Sequence, residues 1–109
     1  MITKEQAHAM HALEQVTTRH NITYAKAAYL ILDLERMIQS RHIDVQFICD
    51  KGGGIQEYQI ILDMVVYAVF YDPFRKNLRT VLNPLMDKHV HRQLRSRLIG
   101  YRNCKRMAV

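Results

Sequence analysis

Apolar residues in the first forty positions recur at steps of three and four, the period of a helix with one buried face. Ala9, Met10, Leu13 and Val16 share one side of a helix expected over about 4–19 and would face a core. Thr3 followed by Gln6 has the spacing of a capping box and marks its start. His20-Asn21 interrupts the pattern, and Asn21 can cap a second helix over about 22–40. There Ala27, Ile31, Leu34 and Ile38 make a continuous seam, which Ala25, Ala28, Leu30 and Leu32 widen. A helix this apolar belongs at the centre of the fold or at a subunit interface.

The period then changes. Ile43, Val45 and Phe47 alternate with Asp44 and Gln46, which predicts a half-buried strand over 43–49. Lys51-Gly52-Gly53-Gly54 must turn, because three glycines favour neither helix nor strand. From 55 to 71 two readings compete. Tyr58, Ile61, Leu62, Val65 and Val69 fit one helical face, whereas the β-branched and aromatic content favours strands. Length and Asp63 tip this segment to helix from about Gln56; its rival is a hairpin of 43–49 with 55–62. Asp72-Pro73 and Asn83-Pro84 each set a capping residue before a proline, predicting short helices at about 73–81 and 84–99. Gly100 would close the last helix, with Tyr101 folding back as the apolar contact of the cap. The resulting expectation is a mainly α fold, four to five helices in a compact bundle with room for a small β-element around 43–49. The alternative is an α+β fold with the hairpin 43–49/55–62. Residues 1–100 would form a single domain and 101–109 a basic C-terminal tail.

Composition narrows the functional classes. A chain of 109 residues with 49% apolar content can bury a core, and four glycines and two prolines leave little room for long loops. Cys49 and Cys104 form neither a disulfide framework nor a CxxC pair, which fits a reducing cytoplasm. The first residues lack the charged head and apolar stretch of a signal peptide. The longest apolar tract, Ile60 to Tyr71, is broken by Asp63 and is too short to span a bilayer, so no membrane partner is expected.

Charge is distributed unequally. The net charge is +6, yet residues 1–54 carry six basic and six acidic side chains, so the excess lies entirely in residues 55–109. Between Lys88 and Arg106 stand Lys88, Arg92, Arg95, Arg97, Arg102, Lys105 and Arg106, with no Asp or Glu among them. On a helix, Val90, Leu94 and Leu98 would form the core stripe, while Lys88, Arg92 and Arg95 would project from another arc. Such a field attracts polyanions, each phosphate contact releasing counterions, and arginine suits bidentate contact with phosphate or guanine.

The seven cations are therefore the candidate binding residues of a small, non-enzymatic, nucleic-acid-binding regulator. The alternative is an inhibitor or adaptor docking on an acidic protein surface, as a homodimer; under either reading the chain is expected to form a homo-oligomer through the apolar surface of 22–40 or 55–71. Neither a catalytic constellation nor a cofactor or metal site is identifiable. His8 and His11 could share a helix face, but no third or fourth ligand accompanies them. The glycine run lacks both phosphate-cradle patterns and reads as a plain turn. Cys49 reads as a buried thiol and Cys104 as the more reactive one. Tyr24, Tyr29, Tyr58 and Tyr67 are expected to pack in the core with their hydroxyls reaching solvent.

Overall fold

The computed structural model describes residues 3–107, and within them the side chains of all but Glu5, Arg106 and Met107. Helix α1 spans Lys4–His20. The Thr3 side chain accepts from the Gln6 N–H at 3.1 Å, and the Gln6 side chain accepts from the Thr3 N–H at 2.9 Å. The capping box expected from the sequence is therefore complete. Asn21 ends α1 in the left-handed conformation, φ 50°, rather than starting the next helix. That role falls to Thr23, whose hydroxyl accepts from the Lys26 N–H at 3.2 Å and starts α2, Tyr24–Gln39. The inward faces differ from expectation in detail. Ala12 and Val16 of α1 and Ala27, Leu34 and Ile38 of α2 are buried. Ala9, Met10, Ala25, Ala28 and Leu32 face outward, as do Tyr24 and Tyr29, while Tyr58 and Tyr67 are half-buried.

The remaining chain overturns the helical bundle. Four strands, β1 (Val45–Gly52), β2 (Ile55–Leu62), β3 (Val65–Asp72) and β4 (Asn77–Val81), form one antiparallel sheet in the order β1-β2-β3-β4. Among the described residues the fold is thus α+β, with three α-helices. The helix expected over 55–71 is instead two strands joined at Asp63-Met64, with Ile61 opposite Val66 and Leu62 opposite Val65. Both turn residues have positive φ, 51° and 68°, the requirement of a two-residue turn matched to strand twist. The sheet is covered on both faces, so apolar residues occupy consecutive positions and the period of two disappears. β-branched content was the more faithful signal there. The hairpin of β1 with β2 is present, turning at Gly52 to Gly54, all with positive φ.

The short helix expected over 73–81 is also absent. The Asp72 carboxylate accepts from the Phe74 and Arg75 N–H groups at 3.0 and 3.1 Å, the bonds that a helix cap would make. The chain then turns back, because Leu78 and Val81 pair with Tyr71 and Val69 and enter the core. After β4 the chain stays beside β3, with the Leu82 N–H donating to Ala68 O and the Leu85 N–H to Val66 O. A single 3₁₀ turn, Asp87–His89, precedes α3, Arg92–Met107. The last helix therefore starts eight residues later than Asn83-Pro84 implied. It also runs through Gly100, which closes nothing.

Two cores result. Val16, Ala27, Leu34 and Ile38 pack on Ile60, Val69, Tyr71, Leu78 and Val81 from one side of the sheet. Val90, Leu94 and Leu98 pack on Ile61 and Val66 from the other. The sheet lies between the α1–α2 pair and α3, and α3 crosses β2 and β1.

Candidate functional site

The 3₁₀ turn, its connector and α3 carry the basic residues, and four polar attachments fix their position. Gln59 on β2 is buried, and its amide serves the connector at both ends. Its Nε2 donates to His89 O at 3.1 Å, and its Oε1 accepts from the His91 N–H at 2.7 Å. Arg95 Nη2 donates to Val90 O at 2.9 Å. Arg102 donates two bonds to the Asp87 carboxylate, at 2.8 and 3.0 Å. The Tyr101 hydroxyl donates to Asp44 Oδ1 at 2.7 Å, which ties the outer half of α3 to the start of β1. The hydrogen bond from Arg102 holds the Asp87 carboxyl below its ordinary range, against some desolvation. The hydrogen bond to Asp44 raises the Tyr101 phenol above its ordinary value.

The seven basic residues do not share one face. Lys88 lies on the 3₁₀ turn rather than on α3. Arg95 and Arg102 flank Asp87, and both contribute to lowering its pKa. Arg97 lies about 160° from Arg95 around the helix, on the Tyr101 side. Arg92 faces away from the core and is exposed, and Lys105 is exposed on the last turn. The side chain of Arg106 lies outside the described residues. The acid-free run thus has an acid at its border, Asp87, which neutralises Arg102. Among the described residues, Lys88, Arg92, Arg95, Arg97 and Lys105 have no ion-pair partner. Ile99 is 49% exposed, on the arc of α3 that carries Arg92 and Arg95.

Gln59, Asp44 and Asp87 were not singled out from the sequence. Gln59 sits where an apolar run would place another core residue, and only the packing of α3 shows why an amide stands there. Asp87 could have been found from the sequence as the acid immediately before the cationic run.

Other groups occupy different places. Asp72 lies 4.0 Å from Arg75 Nε and 3.7 Å from Arg79 Nε. Desolvation, then the Arg79 charge, lower the pKa of His8. His11 is bonded to Gln15 at 2.7 Å. Lys51 lies 3.5 Å from Glu57 and sits over the Phe70 ring, 5.5 Å from its centroid. Cys49 is half-buried, its Sγ 3.8 Å from Glu57 Oε1, and Cys104 is exposed. A cleft of about 690 Å³ opens between α2, the Asp63-Met64 turn and Tyr101, with Asp33, Asp44 and Asp63 among its lining residues. Arg36 and His42 line it as well, but three carboxylates against one guanidinium leave it net negative, which does not suit a polyanion. Among the described residues no helix is long and apolar enough to cross a membrane.

Compared with protein-family models, curated proteins and solved structures, the chain matches none.

Proposed function

We propose that this chain is a non-enzymatic, nucleic-acid-associated regulator of the cytoplasm that contacts phosphates through the 3₁₀ turn and α3. The observation that carries this reading is the set of five exposed or half-exposed cations, Lys88, Arg92, Arg95, Arg97 and Lys105, on a segment that Gln59 and Asp44 tie to the sheet and that the Asp87–Arg102 pair braces internally. A rigid support lowers the ordering cost of binding. Because the cations wrap around the helix, they suit backbone contact with little sequence preference.

Fluorescence anisotropy with labelled duplex and single-stranded oligonucleotides over a salt series tests this. Four to five phosphate contacts give a slope of log K against log salt of about −4 on duplex. Arg92→Ala combined with Lys105→Ala lowers the slope by about two. No binding at low salt overturns the proposal. Ile99 favours a second reading, an acidic protein surface with one apolar contact amid the charges. Ile99→Ser leaves nucleic-acid affinity unchanged under the first reading and weakens capture of the partner under the second.

A further inference from the structure

Helix α2 has two apolar faces, and the fold uses one. Ala27, Leu34 and Ile38 enter the core. On the opposite side Ala25, Ala28, Tyr29 and Leu32 follow the spacing i, i+3, i+4, i+7 and all are exposed, Tyr29 at 70% and Leu32 at 39%. That is the spacing of a helix-packing stripe, here left facing solvent. Lys26 and Asp33 border the stripe along one edge. They are seven residues apart, about 10 Å along the axis, too far to pair with each other. Neither has an ion-pair partner among the described residues.

We infer that the stripe is the seam of a twofold homodimer in which α2 of two copies packs antiparallel. The residues themselves select that arrangement. With the axis between residues 28 and 29, Ala28 meets Tyr29 of the second copy and Ala25 meets Leu32. Small residues stand opposite large ones, each pair occurring twice by symmetry. The shared edge then brings Lys26 within reach of Asp33 of the second copy, also twice. A parallel arrangement would carry this edge to the opposite side of the seam, leaving Lys26 and Asp33 of the two copies too far apart to pair. The interface is independent of α3, which lies across the sheet, so the dimer would present two basic segments.

One helix pair is a small interface, so association is weak, with a dissociation constant of roughly micromolar order. Sedimentation velocity from about 1 μM to about 1 mM should show a monomer of 12.9 kDa giving way to a dimer of twice that mass. Leu32→Glu abolishes the dimer. Lys26→Asp and Asp33→Lys each raise the dissociation constant about tenfold, because each sets like charges together at two places. The doubly swapped chain, K26D with D33K, recovers the original constant. These positions are solvent-exposed, and circular dichroism of each variant checks that the fold persists. A monomer at every concentration overturns the inference. So does a dimer indifferent to Leu32→Glu, or one in which the double swap is no better than either single.

Discussion

Replacing Gln59 tests whether α3 is held in place by polar bonds as well as by apolar packing. Gln59 is 7% exposed, and its amide is the only side chain bonded to both His89 O and the His91 N–H among the described residues. Leucine has nearly the same volume but can make neither bond. His91 is half-buried, so its N–H loses its partner where water is scarce, at a cost of about 1–3 kcal/mol; His89 is exposed, and its carbonyl can turn to water at little cost. The net loss for Gln59→Leu is about 2 kcal/mol, a sizeable share of the 5–15 kcal/mol, roughly, that holds a domain of this kind together. With a urea m-value of about 2 kcal/mol/M, the unfolding midpoint falls by about 1 M.

Gln59→Glu sharpens the test. When ionised, the introduced carboxylate keeps the bond from the His91 N–H but sets a negative charge against the His89 carbonyl. When protonated, it restores the donor. The folded state therefore raises the pKa of this carboxyl above its unfolded value of about 4.3. The stability of the variant is greatest below that value and is lost as pH rises through the folded pKa. Urea titrations of both variants at acid and neutral pH, each referred to the parent at the same pH, measure this. A midpoint for Gln59→Leu within about 0.2 M of the parent, or a Gln59→Glu deficit that does not shrink in acid, would refute the role assigned to the amide.

Two further perturbations test charges within the fold. Burial raises the pKa of Glu35 above 4.5 even though its carboxylate accepts the Leu78 N–H at 2.8 Å. Its contribution to stability is therefore full below that value and declines as pH rises through the folded pKa. Glu35→Gln keeps an acceptor for Leu78 and should flatten that decline in denaturant melts between acid and neutral pH. Asp87→Asn releases Arg102 from its ion pair. It should steepen the salt dependence of oligonucleotide binding by about one unit. Because the Asp87 pKa is lowered below 3.8 in the fold, the parent, unlike this variant, should also lose the ion pair's stability as pH falls through the folded value.

What could be read from the chain alone is what depends on neighbours a few residues apart. The capping box of Thr3 and Gln6, the extent of α1 and α2, the strand expected over 43–49 and found at Val45–Gly52, and the glycine turn all belong to this class, since each rests on bonds or faces formed within one segment. The excess of cations after residue 55 is equally a property of the sequence.

Tertiary structure decided everything that depends on which surfaces meet. Residues 55–71 are apolar at consecutive positions because α1 and α2 cover one sheet face and α3 the other, and this erases the alternation that marks a strand. Asp72 makes the bonds of a helix cap, yet the segment after it becomes β4 because Leu78 and Val81 complete the core under α2. Gly100 does not stop α3, since Tyr101 finds Asp44 from across the fold. Ala25, Ala28, Tyr29 and Leu32 look like core residues in sequence and face solvent in the structure, because a helix lying on a sheet can bury only one side. The cationic run shows the same division. Its charge is written in the sequence, but which cations stay free was settled by Asp87 reaching Arg102, fifteen residues away in sequence and 2.8 Å away in space.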